Sequence, residues 1–345
     1  MNPSSRLLIP LLKPVKSPVH STCLEKLAVV SRILLIFLDG VGIGRPDAGV
    51  NPLSDAPILG NCLPDGWSTP ADGGRPDSLP VPMRREPVPL GGQVRAVDAS
   101  LGVPGLPQSA TGQTALFTGV NAAQLLGHHH YGFPGPQLRA ALMEHSLLKR
   151  ATQAGHTAAF LNAYRPLFFD LGEAVWSRPM SASSWNNRAA GLSFRTFDDL
   201  RAGQALYHDF TNRDAIRRGF DLPLREPTEA GEILARLAST RDLTIYEFFQ
   251  TDRVGHTRDL AGARALIADL EAFLASTLNA IDLGSHHVVL TSDHGNVEDL
   301  STKSHTHHPV PAMVWGPRAG RLIDRMGRLE DVAPALLDEL RGAGS

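Results

Sequence analysis

Short apolar segments alternate with amphipathic segments of helical period, and this alternation constrains the fold more than any other feature of the chain. Residues 32–38 are apolar at every position after Arg32, as expected of a strand buried on both faces of a sheet. Further strands are predicted at residues 157–161, 243–249, 288–291 and 312–315. Helices are predicted at residues 114–123, 138–154, 228–240, 258–281 and 329–340. The alternation predicts an α/β fold in which a mostly parallel central sheet has helices on both faces.

Three stretches depart from this alternation. Residues 1–31 begin with a proline-containing segment that has no periodic apolar face, and we predict a disordered tail there. Residues 52–107 are rich in proline, and only residues 91–101 resemble a strand, which indicates a surface excursion. Residues 164–227 contain scattered aromatic residues and arginines and are predicted to form a small inserted lid. The predicted catalytic core is discontinuous and comprises residues 32–163 and 228–345.

The composition excludes several classes of protein. The 33 Lys and Arg residues nearly balance the 35 Asp and Glu residues, so neither a nucleic acid nor an anionic membrane is a predicted partner. No apolar run reaches the roughly 20 residues that a membrane span needs. The chain has only two cysteines, which is typical of a reducing compartment, and we expect a cytoplasmic location. The sequence predicts no oligomeric state.

Acidic and histidine residues lie at the ends of the predicted strands. Asp39 follows the first strand, Asp252 and His256 follow the strand at residues 243–249, and Asp293 and His294 follow the strand at residues 288–291. His305 precedes the last strand. Ligands of α/β sheets bind beyond the carboxyl ends of the strands, and carboxylate and imidazole groups are ligands for Zn²⁺ and Mn²⁺. A lone Asp at such a position is usually a turn former, but the repetition at several strand ends predicts a metal site.

Three ordered motifs resemble a known family. They are Asp252-Arg-Val-Gly-His256, Asp293-His-Gly-Asn-Val-Glu298 and His305-Thr-His-His-Pro-Val-Pro311. They resemble the alkaline phosphatase superfamily, and within it the metalloenzyme branch of cofactor-independent phosphoglycerate mutase and phosphopentomutase. The family pattern has Asn at the position of His308. The resemblance covers the predicted core and implies an alkaline-phosphatase-like fold.

The resemblance implies two divalent metal ions, Mn²⁺ or Zn²⁺. One ion would be held by Asp39, Asp293 and His294 together with a nucleophilic hydroxyl. The other would be held by Asp252, His256 and His305. The chemistry is consistent with this arrangement, because a hydroxyl is a poor nucleophile unless a metal or base activates it.

The resemblance also indicates the nucleophile. The family mutases have the pattern nucleophile-x-x-Gly-His, and alignment of its glycine with Gly112 places Ser109 at the nucleophile position. Gln113 then stands where those enzymes have His. The nucleophile should precede a helix, whose backbone N–H groups face the phosphate, and residues 105–114 fit this description. Thr111 is the alternative nucleophile if the alignment shifts by two residues.

Other motifs are weaker. Gly40-Val-Gly42-Ile-Gly44 follows a strand, but Arg45 and a proline-rich segment replace the last glycine and the helix of a dinucleotide-binding loop. The three consecutive histidines at residues 128–130 are predicted to form a solvated loop. Three residues near strand ends are candidate substrate-binding residues: Asn162, Arg165 and Arg253.

We therefore predict a two-metal phosphatase or phosphomutase that acts on a small phosphorylated metabolite. One alternative is a phosphodiesterase or another hydrolase of the same fold. A sulfatase is disfavoured because the segment that follows Ser109 lacks the Pro and Arg of the sulfatase motif. A second alternative is a non-catalytic, metal-stabilised binding protein, which the retention of all six implied metal ligands disfavours. The lid decides the substrate in this family, and we find no motif of phosphoglycerate mutase in residues 164–227.

Overall fold

The computed structural model describes residues 32–63 and 88–342. The predicted tail and the middle of the proline-rich excursion lie outside the described residues. Six strands in the described part form one sheet in the order β2-β6-β5-β1-β4-β3. Their bounds are β1 Arg32–Leu38, β2 Gln93–Val97, β3 Ala158–Phe160, β4 Leu243–Phe248, β5 His286–Thr291 and β6 Val310–Trp315.

The sheet is mostly parallel, as predicted. Strand β1 pairs in parallel with β4 and β5, and β3 pairs in parallel with β4. Strand β6 pairs antiparallel with both β5 and β2. Because β6 is reversed, its beginning lies at the same edge of the sheet as the carboxyl ends of β5, β1 and β4. This reversal places the segment before β6 beside the loops that follow the parallel strands.

Helices cover both faces of the sheet, as predicted. In the described residues they are α1 Ser109–Thr118, α2 Ala122–Leu126, α3 Pro136–His145, α4 Leu147–Gln153, α5 Pro166–Asp170, α6 Ala182–Ala189, α7 Phe197–Arg201, α8 Arg213–Arg217, α9 Pro227–Ala238, α10 Gln250–Gly255, α11 Leu260–Ala280, α12 Ala319–Ile323 and α13 Leu329–Leu340. One apolar layer contains α1, α3, α4 and α13, and the other contains α9 and α11. Alternate residues of β1 point into the two layers, which explains why the strand is apolar at every position after Arg32.

Two predicted helices differ from the structure. The helix predicted at residues 114–123 begins earlier, at Ser109, and a separate α2 follows Asn121, whose side chain accepts a hydrogen bond from Gln124 N. The helix predicted at residues 138–154 is divided at Ser146, whose hydroxyl caps α4 by accepting from Lys149 N. The apolar period continues across Ser146, so the period alone did not indicate the break.

The inserted segment at residues 164–227 has two parts in the structure. Helix α6 packs against α3 and α1, and Ala182 and Trp185 on this helix belong to the main apolar core. The later part has a small cluster of its own that includes Phe197, Leu200 and Tyr207. A small inserted lid over residues 164–227 therefore stays a prediction. Among the described residues, no helix is both long and apolar enough to span a membrane.

Candidate metal centre

The predicted ligands meet at the edge of the sheet where the parallel strands end. Asp39 follows β1, the pair Asp293 and His294 follows β5, and His305 precedes the antiparallel β6. Asp252 lies in the first turn of α10, which begins two residues after β4. The spacing of the strands thus brings together residues that are more than 200 positions apart in the chain.

Asp39, Asp293 and His294 form the first group. One potential ligand atom from each residue lies within 4.8 Å of the other two. The Nε2 atom of His294 is 3.3 Å from Asp39 Oδ1 and 3.5 Å from Asp293 Oδ2. The hydroxyl of Ser109 is 3.0 Å from the same Nε2 atom. This group contains the side chains that the resemblance implied for one metal ion.

Asp252, His305 and His256 form the second group. Asp252 Oδ1 is 3.5 Å from His305 Nε2, and Asp252 Oδ2 is 3.3 Å from His256 Nε2. The other ring nitrogen of each histidine bonds to a backbone carbonyl: His256 Nδ1 to Lys303 O at 2.7 Å and His305 Nδ1 to Pro107 O at 2.9 Å. Such bonds orient the ring and leave Nε2 available as a metal ligand. Ligand atoms of His294, Asp252 and His305 also lie within 4.8 Å of one another, so His294 connects the two groups.

Two buried carboxylate oxygens show that the first group fits a cation. Asp39 Oδ1 and Asp293 Oδ2 are buried and accept no hydrogen bond from the residues that the structure describes. Burial and the mutual repulsion of the charges raise the pKa of Asp39, and burial also raises the pKa of Asp293. The ring of His294 partly compensates these buried charges, and a divalent cation bound beside the two oxygens is a further partner that fits them.

The histidines also respond to the buried charges. Burial disfavours a charged ring at His294, but the negative charges of Asp293, Asp39 and Asp252 outweigh it and raise the pKa of His294 to about 10. Burial, together with the positive charge of His294, lowers the pKa of His305 to about 4. The neutral ring of His305 can therefore offer a lone pair to a metal ion at neutral pH.

The surroundings of Ser109 and Thr111 differ. Ser109 is the first residue of α1, and its partly exposed hydroxyl faces His294. The hydroxyl of Thr111 is buried, donates to Gln108 O at 3.1 Å and accepts from His130 N at 3.3 Å. The structure thus places Ser109 at the predicted metal ligands and uses Thr111 to join the start of α1 to the loop at residues 128–130.

Gln113 occupies the position where the family mutases have His. Its Nε2 atom donates to Asp39 Oδ2 at 3.3 Å, and its amide also lowers the pKa of Asp293, although burial of Asp293 has the larger, opposite effect. The amide therefore lies between two carboxylates of the first group. This contact is compatible with metal binding because each carboxylate keeps another oxygen for the ion.

The structure places the predicted substrate-binding residues in different surroundings. Arg165 is exposed and lines a cavity of about 190 Å³ together with His208 and Glu247. Asn162 lines the same cavity, but its amide donates to Glu247 O and accepts from Glu247 N, which extends the pairing of β3 with β4. Arg253 donates to Gln250 Oε1 and lines a separate cavity.

That separate cavity carries charges of both signs. Three aspartates and three arginines line it, namely Asp209, Asp214, Asp269, Arg213, Arg217 and Arg253, so its formal charges balance and nothing in it selects an anion. Two of these aspartates already form ion pairs, Asp269 with Arg213 and Asp214 with Arg218. Contact between Arg253 and a substrate phosphate therefore stays a prediction.

Sequence reasoning assigned no role to two residues inside the second motif. Asn296 Nδ2 donates to Asp252 Oδ1 at 2.6 Å and so connects the β5 loop to α10. Glu298 is fully buried and accepts hydrogen bonds from several loops around the site. The motif itself contained both residues, but a sequence motif does not show which of its members are metal ligands and which support them.

The fold and the site define an α/β protein with a mostly parallel sheet and adjoining groups of candidate metal-ligating side chains. Residues 226–343 match the family model of the Metalloenzyme superfamily, and this region contains Asp252, His256, Asp293, His294 and His305. The predicted resemblance to the metalloenzyme branch is thereby confirmed over this region, and both groups of ligand atoms are consistent with divalent metal ions.

Curated relatives match about a third of the chain. A 2,3-bisphosphoglycerate-independent phosphoglycerate mutase of Cereibacter sphaeroides is 32% identical over 120 residues, which are 32% of this chain and 23% of that protein. The enzyme of the same name from Halobacterium salinarum is 34% identical over 106 residues, which are 29% of this chain and 21% of that protein. The matches thus span less than a quarter of the length of these relatives.

Solved structures support the fold over most of the chain. A protein from Pyrococcus horikoshii has a TM-score of 0.51 and 14% identity, and the alignment covers 91% of this chain and 98% of that one. The alkaline phosphatase from the Antarctic bacterium TAB5 has a TM-score of 0.50 and 13% identity, with 90% and 98% coverage. The predicted alkaline-phosphatase-like core is confirmed as a fold.

Proposed function

We propose that this protein is a two-metal phosphoryl-transfer enzyme, a phosphatase or phosphomutase, that acts on a small phosphorylated metabolite. The observation that supports this proposal most is the position of Ser109. Its hydroxyl lies 3.0 Å from His294 Nε2, and His294 connects the two groups of ligand atoms. A nucleophile at this point would contact the first metal ion and face the second.

Two Mn²⁺ or Zn²⁺ ions would be held by Asp39, Asp293 and His294 and by Asp252, His256 and His305. When bound, such ions stabilise the alkoxide form of a serine and the negative charge on a phosphoryl group. The backbone carbonyls of Lys303 and Pro107 would keep Nε2 of His256 and His305 directed at the ion. The amide of Gln113 would fix the orientation of Asp39.

Helix α1 would orient the phosphoryl group. Its N-terminal residue is Ser109, and Gln108 before it provides no side-chain cap, so the N–H groups of Ser109 and Ala110 are suited to an anion, whereas Thr111 N donates to His130 O at 3.4 Å. The helix also lies very close to the ligand loop after β5, because a Cβ atom on Gly112 would be only 2.7 Å from Asp293 O. This close approach would hold Ser109 at a fixed distance from Asp293 and His294.

The part of the substrate that does not react would lie toward β3 and β4. The cavity with Arg165 and Glu247 is at the same edge of the sheet as the predicted metal ligands. Burial raises the pKa of Glu247 to about 7, and the charge of Asp293 contributes to this shift. Glu247 in this cavity is therefore close enough to Asp293 in the first ligand group for the charge of Asp293 to affect its pKa.

A panel of phosphorylated metabolites tests the proposed function. The protein would be supplied with Mn²⁺ or Zn²⁺, and both free phosphate and isomerised product would be measured. We expect metal-dependent turnover of at least one small phosphomonoester. Turnover of phosphodiesters alone would favour the phosphodiesterase alternative, and metal binding without turnover of any substrate would favour a binding protein.

Arg165→Ala is expected to raise KM for the preferred substrate with a smaller effect on kcat. Loss of a charge-assisted hydrogen bond to the substrate would raise KM roughly 10- to 100-fold. Arg178→Ala is the matched control, because Arg178 is an exposed arginine of the same inserted segment and does not line the cavity. Equal steady-state parameters for both variants would remove Arg165 from the proposed substrate site.

A further inference from the structure

The spaced glycines after β1 have a physical role that the sequence motif did not reveal. A Cβ atom on Gly42 would clash with the carboxylate of Glu298, and one on Gly44 would lie 2.8 Å from Glu298 Cγ. On the other side, a Cβ atom on Gly295 would also clash with this carboxylate. These three glycines enclose the side chain of Glu298, which is 1% exposed.

The Glu298 carboxylate accepts four hydrogen bonds inside this enclosure. Gly42 N donates to Oε2 at 2.8 Å and Asn296 N donates to the same oxygen at 2.7 Å. Thr306 Oγ1 donates to Oε1 at 2.5 Å, and His308 Nδ1 donates to Oε1 at 2.9 Å. Both oxygens are thus satisfied by donors from the protein.

Glu298 stays ionised in spite of its burial. Burial alone would raise its pKa, but the hydrogen bonds from His308 and Thr306 and the charge interaction with His308 lower the pKa below its usual value. His308 is the residue that replaces the Asn of the family pattern. The donors around Glu298 therefore surround a charge, which makes each hydrogen bond stronger than one to a neutral acceptor.

The four donors belong to the segments that contain the predicted metal ligands. Gly42 lies three residues after Asp39, and Thr306 directly follows His305. Asn296 follows His294 by two residues, and its side chain donates to Asp252. Glu298 is thereby connected to both ligand groups, although none of the described contacts joins its carboxylate to a predicted ligand atom.

We propose that Glu298 is a positioning residue that fixes the two groups of metal ligands relative to one another, and that Gly42, Gly44 and Gly295 provide the space for its side chain. The inference rests on the proposed two-metal site. Loss of its charge would loosen three loops at once, namely those after β1, after β5 and before β6. Partners of this kind, which hold the ligands without touching the metal, affect metal affinity roughly 10- to 100-fold.

Titration of the protein with Mn²⁺ alone tests this inference, with Glu298→Gln as the variant. The substitution keeps the shape but turns one acceptor oxygen into a donor, which would face N–H or O–H groups. We expect two Mn²⁺ sites in the unaltered protein and a roughly 10- to 100-fold weaker affinity at both sites in the variant. We also expect the visible absorption spectrum of the Co²⁺-loaded protein, which reports coordination geometry, to change.

Glu271→Gln is the matched control. Glu271 is also a buried carboxylate and accepts hydrogen bonds from Ile58 N and Leu59 N at 2.7 and 2.8 Å, but neither donor belongs to a ligand loop. A merely structural role for Glu298 predicts that both variants lower the melting temperature and that neither changes Mn²⁺ affinity or the Co²⁺ spectrum. We expect the control to behave in this way and Glu298→Gln to differ from it.

Three results decide the inference. Equal Mn²⁺ affinity in folded Glu298→Gln and the unaltered protein would overturn the positioning role and leave the proposed function intact. Absence of uptake of both Mn²⁺ and Zn²⁺ by the unaltered protein would overturn both the inference and the proposed function. If Glu298→Gln does not fold, Thr306→Val removes one donor to the carboxylate, and it must weaken Mn²⁺ binding at the group that contains His305 or the inference is wrong.

Discussion

Replacement of Ser109 by alanine is expected to lower turnover by at least on the order of 10³, the scale seen when a nucleophile is removed and only electrostatic stabilisation remains. Both metal ions should stay largely bound. The carboxylates and imidazoles supply most of the metal affinity, whereas the hydroxyl becomes a strong ligand only as an alkoxide in a site that the ions already occupy. Steady-state rates and metal content of the same preparation would measure both effects.

Thr111→Ala is the control for this prediction. The Thr111 hydroxyl bonds to Gln108 O and His130 N and does not contact the predicted ligands, so its loss should cost less than about tenfold in rate, in line with the loss of a neutral hydrogen bond. A large loss in Thr111→Ala together with near-normal activity in Ser109→Ala would show that the alignment at Gly112 is wrong by two residues.

Asp252→Ala is expected to reduce the metal content from two ions per chain to about one and to abolish activity. The variant removes the only carboxylate of the second group, whereas the first group keeps Asp39, Asp293 and His294. In the variant, the second site would keep the imidazole groups of His256 and His305 but would have no negatively charged ligand for the ion. Elemental analysis of protein prepared without chelator, combined with Mn²⁺ titration, would give the stoichiometry.

Asp259→Ala controls for the general loss of a carboxylate near α10. Asp259 caps α11 by accepting from Gly262 N at 3.0 Å, so its removal should lower the free energy of unfolding by about 1 kcal/mol and leave two ions bound. A single ion in the unaltered protein, or two ions in Asp252→Ala, would contradict the two-metal site.

The sequence alone predicts those parts of the fold and of the site that follow from an apolar run within a single strand. Strand β1 is apolar at every position after Arg32 because both faces of the sheet are covered, so its end, and hence Asp39, could be located without a structure. Strands β4 and β5 are also buried at every position, but polar residues such as Glu247 and His287 interrupt their apolar runs, and the predicted bounds of β5 began two residues late. Parallel strands end at one edge, and so the residues that follow them could be expected to meet.

The remaining features depend on contacts between distant segments. The apolar period of residues 138–154 does not indicate the break at Ser146. The break depends on the Ser146 hydroxyl, which accepts a hydrogen bond from Lys149 N and donates one to Asn186 Oδ1 on α6. Asn162 was predicted as a substrate ligand from its position, but its amide is occupied by the backbone of Glu247. The role of Gly42 and Gly44 follows only from the structure, in which both lie against the side chain of Glu298.

Identification of the phosphorylated residue tests the central claim most directly. The metal-loaded enzyme would be mixed with a phosphomonoester substrate labelled in its phosphoryl group, quenched in acid within milliseconds, and mapped by peptide mass spectrometry. We expect phosphate on Ser109, absence of label in Ser109→Ala, and absence of label when the metals are removed by a chelator. Label on another residue, or undiminished label in Ser109→Ala, would contradict it.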